Sequence, residues 1–349
     1  MKLLVTGGCG FIGSAFLRLV LEARRDVKVL NLDVLSYAGN PENVRDLRKN
    51  PRYRFVRGDI ADARKADRLV KGVDAVVNFA AESHVDRSLY GAVPFVRANV
   101  EGPAVLLEAA RRHGVPRFLQ VSTDEVYGSL PDSGVFTEST PLHPNNPYSA
   151  TKAGADHLAL AYAHTFGLPV VVTRSSNNYG PRQFPEKFIP LFVTNALEDR
   201  PCPVYGDGLQ IRDWLHVEDN ARGILAALEK GRPGEVYNLG GGNERPNLEV
   251  AKAILRHLGK PESLLTFVKD RPGHDRRYAL ESGKARAELG WSPQVPFDDG
   301  LRATVQWYRD NPGWVARARK GDWAKHAARH YGASILAKAP AKAKARLST

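Results

Sequence analysis

Short, nearly uninterrupted apolar runs alternate with amphipathic ones through the first half of the chain. KLLVTG, VKVLNLD, YRFVRGD, DAVVNFA and RFLQVS each hold a few consecutive apolar residues and stop at Gly, Asp or Ser. Between them, FIGSAFLRLVLEARR, DARKADRLV and PFVRANVEGPAVLLEAARRHG carry apolar residues at helical spacing, and YSATKAGADHLALAYAHTFG leads into a further strand, LPVVVTRSS. Runs apolar on both faces, separated by helices, predict a parallel sheet covered on both sides. The fold class expected is α/β, a Rossmann-type doubly wound sheet. After Gly180 the alternation loosens, and YGPRQFPEKFIP, RPCPVYGDG, LGGGNERPN and DRPGHDRR bring Pro and Gly to the fore. A smaller, irregular α/β lobe over a second ligand is expected there. The division is a nucleotide-binding part over 1–180, a substrate lobe over 181–314 and a tail over 315–349. The first boundary is soft, because later segments can return to the sheet.

Composition changes this picture little. With 349 residues, 43% of them apolar and 25% charged, the chain suits one large or two closely packed domains. No apolar run approaches a membrane span, and the apolar start is too short for a signal peptide. Cys9 and Cys202 are the only cysteines, which excludes a disulfide framework and fits a reducing cytoplasm. No Cys/His group has zinc spacing, so no metal is expected. Charge is more telling. Of the net +12, most belongs to residues from Val315 onward, where nine Lys and Arg face only Asp322. The Ala/Lys-rich end reads as a disordered, solvated tail, dispensable for the body of the protein. Nucleic-acid binding through it is the minor alternative.

VTGGCGFIG, where the first strand meets the first helix, spaces Gly7, Gly10 and Gly13 as GxxGxxG. Glycines there permit a tight turn and let backbone N–H groups at a helix N-terminus approach a pyrophosphate. Asp33 ends the second strand twenty residues after Gly13, where a carboxylate accepts from a ribose hydroxyl and repels a 2′-phosphate. NAD is therefore expected rather than NADP. Asp59, ending the third strand, falls beside the adenine; capping DARKADRLV is its other reading.

Tyr148 and Lys152 in PYSATKAG lie four apart, on one face of a predicted helix. A phenol ionises near pH ~10, and a neighbouring ammonium together with an oxidised nicotinamide would lower that value, making Tyr148 a base toward a sugar hydroxyl. Thr123, Asp124 and Glu125 gather 25 residues earlier in STDEVYG, where a strand gives way to a turn. Adjacent strand residues point oppositely unless the turn redirects one.

The glycine pattern, the strand-end Ser/Thr and YxxxK together resemble the extended short-chain dehydrogenase/reductases. AAESHVDRS, STDEVYG, YSATKAG, NNYGPRQFPEKFIP, YGDGLQIRDWLHVEDNA and RPGHDRRY resemble the dTDP-glucose 4,6-dehydratase family within them, over residues 7 to 278. The resemblance implies a hydro-lyase with recycled NAD, acting on dTDP-glucose as a homodimer through the two long helices of the first half. It implies catalytic roles for Thr123, Asp124, Glu125, Tyr148 and Lys152, with Glu125 as base and a protonated Asp124 as acid. On the cofactor side it adds Phe11, Ile12, Ile60, Ala80, Ala81, Ser122 and Asn178 to Gly7, Gly10, Gly13, Asp33, Asp59, Tyr148 and Lys152. On the substrate side it assigns His84, Thr123, Asn177, Lys187, Phe188, Tyr205, Arg212, Asn247, Arg271 and His274. Other readings stay open at three of these: Arg212 pairing with Asp213, Asn247 capping a helix, and His84 as a structural hydrogen-bonder. The chain departs from the family at Ala98, where Thr is usual. A UDP-sugar dehydratase or a 4-epimerase is the alternative enzyme. A catalytically silent NAD-binding regulator is the non-enzymatic one, disfavoured because Tyr148, Lys152 and the acidic pair are all present.

Overall fold

The structure, a computed structural model, describes residues 1–331. Seven strands form one parallel sheet: β1 (Lys2–Thr6), β2 (Lys28–Asp33), β3 (Tyr53–Arg57), β4 (Ala75–Asn78), β5 (Phe118–Thr123), β6 (Val170–Ser175) and, out of sequence, β10 (Val236–Leu239). Their order is β10-β6-β5-β4-β1-β2-β3, so the winding reverses between β1 and β4. Helices α1 (Phe11–Ala23) and α8 (Val217–Lys230) cover one face; α2 (Ala63–Val70), α5 (Gly102–Arg112) and α6 (Pro147–Phe166) cover the other. Within β1, Leu3 and Val5 pack on the first face and Leu4 on the second, all fully buried. This is the period-two alternation of a strand with apolar residues on both sides. Each such side chain contributes about 1.5–3 kcal/mol by leaving water. The predicted helix over PFVRANVEGPAVLLEAARRHG forms as α4 (Val93–Val96), a π-helical turn at Arg97–Glu101, and α5. A four-residue helix, α3 (Val85–Ser88), precedes it.

The second lobe is built from short pieces. Strands β7 (Asn177–Tyr179), β9 (Ile211–His216) and β11 (Glu244–Pro246) form one small sheet; β8 (Cys202–Tyr205) and β12 (Leu265–Val268) form another. Helices α7 (Phe188–Leu197), α9 (Asn247–Leu258) and α10 (Phe297–Asp310) share a separate apolar cluster. β10 and α8 lie beyond residue 180 yet belong to the large sheet and its cover, because β10 pairs with β6 and α8 packs on α1.

Beyond Trp314 the structure corrects the expectation of a disordered tail. Residues Pro312–Ala318 and Asp322–Tyr331 are helices, α11 and α12, and Trp314, Val315, Trp323 and Ala327 are buried in the lobe's core. The physical reason lies in the pattern: these apolar residues interleave with the basic ones at helical spacing, and counting charge hid them. Trp314 Nε1 donates to Asn43 Oδ1 at 3.0 Å, and Trp323 Nε1 to the Pro185 carbonyl at 3.1 Å. The Ala/Lys-rich part of the tail, 332–349, lies outside the described residues. Removing 315–349 therefore removes core, not ornament. Trp323→Ala should cost about 3–5 kcal/mol of unfolding free energy. Trp323→Phe, which loses mainly the N–H donor, should cost about 1 kcal/mol. Denaturant melts of the two variants check this; equal stability of both with the parent would return α12 to the status of a loose tail.

Candidate active site

Where the strand order reverses, the C-terminal ends of β1 and β4 part and leave a crevice, the place where doubly wound sheets take their ligands. A cavity of ≈ 290 Å³ runs along it. Gly7 sits at φ +69°, and a Cβ on it would lie 2.6 Å from the Ala80 nitrogen. A Cβ on Gly13 would lie 2.4 Å from the Gly7 carbonyl. Both glycines are thus required by close backbone approach. Gly10 precedes α1 with no side-chain cap and no acidic residue in the first turn, so no side chain caps the helix's leading N–H groups at the cavity. That suits an anion. Asp33 lines the same cavity, its carboxylate accepting from Cys9 N at 2.9 Å and Leu35 N at 2.8 Å. Asp59 accepts from Ala61 N and from Arg97; the cap of α2 is Asp62 instead, through Lys65 N. Donor-rich turn, strand-end carboxylate and apolar floor together fit a dinucleotide. Every residue expected on the cofactor side lines this cavity, and so does Ala98.

β5 ends at Thr123 in extended conformation, and a single 3₁₀ turn, Asp124–Tyr127, follows at once. The Thr123 hydroxyl caps it, accepting from Glu125 N at 3.3 Å. Gly128 closes the turn at φ +86°, where a Cβ would meet the His143 carbonyl at 2.3 Å. This turn answers the alternation problem: both carboxyls reach the crevice. Asp124 borders the first cavity, while Glu125 opens onto the first and onto a second cavity of ≈ 150 Å³. Asp124 is almost wholly buried and Glu125 half-buried. One oxygen of each, Asp124 Oδ2 and Glu125 Oε2, is buried without a hydrogen-bond partner. Since buried polar atoms are nearly always bonded, such orphans mark a place shaped for a ligand.

The electrostatics separate the two carboxyls. Burial pushes the Asp124 carboxyl well above the usual range, and the nearby Glu125 and Asp213 charges push it further. Glu125 is also raised by burial, but Arg271, Lys187 and Arg212 oppose the shift. Asp124 is therefore the carboxyl that holds a proton, and Glu125 the one with cations to support its ionised form.

Helix α6 places the second pair of groups. Asn146 and Ser149 form a reciprocal capping box, 2.9 Å and 3.3 Å, with Pro147 at the first position, which contributes about 1 kcal/mol and fixes the helix start. Tyr148 follows immediately, its ring edge-on to Phe95, and Lys152 lies one turn on. Lys152 Nζ donates to the Val121 carbonyl at 2.6 Å. Burial lowers the Lys152 ammonium to about 8, with Asp156 pulling the other way. Here the structure removes one of the two supports expected for a lowered phenol, the Lys152 ammonium. The Tyr148 phenol is raised, not lowered, first by burial and then by Glu125; the Thr123 hydroxyl is the neighbour that favours its ionisation. Lys152 is turned to a carbonyl and does not relieve it.

The second cavity gathers every residue expected on the substrate side except Thr123, which lies in the first. Arg212 is buried over the Tyr278 ring and donates to the Ile211 and Asp275 carbonyls, not to Asp213, which accepts instead from Gly241 N and Asn243 N. Asn247 opens α9 without capping it, and its Oδ1 is a buried orphan, as is Asn177 Oδ1. Arg271 pairs with Asp86 at 3.0 Å, and Tyr205 donates to the same carboxyl at 3.1 Å. His274 meets Asp270 at 2.6 Å, and burial, with Arg271 and Arg212 adding to it, takes its pKa to about 4. Burial likewise lowers Lys187. Asn178 is held by Ser176 and Asn220, and Ser122 Oγ is a further orphan. His84 borders this cavity, and its Nε2 stands 3.1 Å from the Glu186 carbonyl. Sequence reasoning missed Asp86, Glu186 and the Arg87 that grips Glu186. Asp86 and Arg87 sit inside AAESHVDRS and Glu186 inside NNYGPRQFPEKFIP, motifs already singled out, and the signal was their charge beside His84 and Lys187.

The GDP-mannose 4,6 dehydratase family model matches residues 4–304. The chain belongs to the nucleotide-sugar 4,6-dehydratase family. Its similarity to individual 4,6-dehydratases is high. It is 54% identical to a dTDP-glucose 4,6-dehydratase of Actinoplanes sp., over 90% of this chain and 99% of that one. It is 52% identical to that of Xanthomonas campestris pv. campestris, over 92% and 96%. The solved DesIV dTDP-glucose 4,6-dehydratase of Streptomyces venezuelae, with NAD and TYD bound, superposes with a TM-score of 0.89 at 54% identity, covering 91% of this chain and 100% of that one.

For a 4,6-dehydratase the raised Asp124 carboxyl has a cost in stability. Well below its ordinary value of 3.8 both folded and unfolded chains carry the proton and no penalty exists. As pH climbs through that value the unfolded chain ionises freely and the folded one does not, so stability falls until the folded pKa is passed. Asp124→Asn should remove this term. Its melting temperature relative to the parent should rise as pH climbs above about 4. A difference independent of pH would show that Asp124 ionises normally.

Proposed function

We propose that this protein dehydrates dTDP-glucose to dTDP-4-keto-6-deoxy-glucose, as an NAD-dependent hydro-lyase. The observation that carries the mechanism is the carboxyl pair at the end of β5, one member held neutral and the other cation-supported, at the junction of the two cavities. The chemistry that NAD supplies when bound is reversible hydride storage between sugar carbons 4 and 6. Gly7, Gly10 and Gly13 would hold its pyrophosphate and Asp33 its ribose.

Tyr148 takes the proton of the carbon-4 hydroxyl, with the Thr123 hydroxyl alongside to support the phenolate. Burial and Glu125 hold the free phenol protonated, so it would give that proton up to solvent, as the positive charge of a bound nicotinamide would favour, before acting as base. Glu125 then removes the carbon-5 proton, made acidic by the adjacent ketone. Its raised pKa makes it a stronger base than a surface carboxylate. Asp124 gives its proton to the carbon-6 oxygen as the carbon–oxygen bond breaks, so water leaves. Glu125 returns a proton to carbon 5 in the closing reduction. A 4-epimerase needs neither carboxyl. The second cavity would take the nucleotide: Arg212 and Arg271 offer forked donors to the diphosphate, helped by Lys187, Asn247 and His274. Exposed Val93, Val96 and Phe166 on the α4–α5 and α6 helices support a homodimer through them, and two buried thiols suit a cytoplasmic setting.

Purified protein given dTDP-glucose should form a 4-keto product that absorbs in alkali, with no net NADH. Faster turnover of UDP-glucose in a parallel assay would reassign the substrate. Glu125→Gln should slow turnover by about 10²-fold or more while KM stays within a few-fold. Full activity in that variant would remove Glu125 as base. Tyr148→Phe should abolish reduction of bound NAD by substrate, and continued reduction would move that role elsewhere.

A further inference from the structure

No zinc spacing is visible along the chain, yet the fold brings three ligand-type side chains from separate segments to one place. His84 stands just before α3, Glu186 two residues before α7, and His326 on α12. All three are at least nine-tenths buried, and one donor atom from each falls within 4.8 Å of the others. The imidazole rings of His84 and His326 meet edge-on, centroids 5.5 Å apart. We propose that His84, Glu186 and His326 form a binding site for a divalent transition-metal ion that fastens α12 to the wall of the second cavity.

Three observations support the assignment. If His84 Nε2–H donates to the Glu186 carbonyl, 3.1 Å away, Nδ1 keeps an unused lone pair. Nδ1 is buried with no hydrogen-bond partner, 3.9 Å from Asp86 Oδ2. A ring nitrogen tied to a carbonyl while the other is left to coordinate is the usual outer arrangement of a metal-binding histidine. Arg87 grips Glu186 mainly through Oε2, at 2.8 and 3.0 Å, with one longer bond to Oε1 at 3.2 Å, so Oε1 retains capacity to coordinate. Two imidazoles and a carboxylate suit Zn²⁺, Ni²⁺ or Co²⁺ and not Mg²⁺ or Ca²⁺, which prefer oxygen alone. A tetrahedral ion about 2.1 Å from each donor spaces them about 3.4 Å apart, so closure asks for side-chain shifts of about 1 Å. Arg87 and Lys187 stand close by, which makes binding weaker than at a closed structural zinc site.

The test uses the full chain, untagged and stripped with a chelator, titrated with Zn²⁺ and separately Ni²⁺ against a chromophoric competitor. One ion per chain is expected, with a rise in melting temperature that grows with free metal. His326→Phe keeps a ring against His84 but removes the donor. It should retain the metal-free melting temperature and turnover, lose the metal-induced rise, and weaken binding by more than about tenfold. Equal uptake by parent and His326→Phe, or no uptake by the parent, overturns the site; a metal-induced rise that survives in the variant does the same.

Discussion

Burying two adjacent carboxyls at the end of one strand sets the terms for the rest of this molecule. Asp124 and Glu125 are brought together by a single 3₁₀ turn, and neither oxygen left over can be satisfied by the chain itself. Two ionised carboxylates are disfavoured there, since burial has raised both and the Glu125 charge raises Asp124 further. The surroundings resolve this by asymmetry. Asp213 faces Asp124 and favours its neutral form, while Arg271, Lys187 and Arg212 reach Glu125 from the second lobe. Two adjacent carboxyls thus differ in proton affinity through their neighbours, and those neighbours come from β9, the start of α7 and the loop after β12.

That dependence explains why the second lobe is more than a nucleotide clamp. Its cations do two things at once: they would meet a diphosphate, and they support the charge of Glu125. Arg271 shows the balance, since it is also paired with Asp86. Asp86 in turn accepts from Tyr205, so Arg271 and Tyr205 share one carboxylate at the second cavity. A ligand that drew Arg271 away would break its pair with Asp86 and loosen the cationic support of Glu125. Binding and proton affinity are coupled through these few groups.

The sheet and the first cavity were legible because local pattern and tertiary structure agree there. Apolar runs make strands, and Gly7, Gly13 and Asp33 are dictated by backbone approach and strand end, all within thirty residues of one another. The YxxxK pair was legible in position but not in electrostatics. The expected lowering of Tyr148 assumed that a residue one turn away lies against the phenol, whereas Lys152 spends its proton on the Val121 carbonyl. What could not be read was anything that depends on three distant segments at once. Arg212 beside Asp213 in sequence suggested a pair, but β9 sends the two side chains to opposite faces. The C-terminal helices were hidden for a different reason: nine cations against one acid drew the eye from Trp314 and Trp323, which are spaced to bury.

Those helices also bear on how the two cavities keep their relation. The segment 182–187 forms part of both, carrying Gln183, Glu186 and Lys187. Its backbone is held by Tyr308 at the Gln183 carbonyl and by Trp323 at the Pro185 carbonyl, while Trp314 ties the same helical cluster to Asn43 on the cofactor side. Each of these is a buried aromatic with one polar atom, so each contributes apolar burial and a directed bond together. Three such contacts, converging from α10, α11 and α12, set the spacing between the cofactor wall and the substrate wall by packing. Lys187, which lowers the proton affinity of Glu125, is carried on that same segment, so the C-terminal helices pack against the stretch of chain that places it.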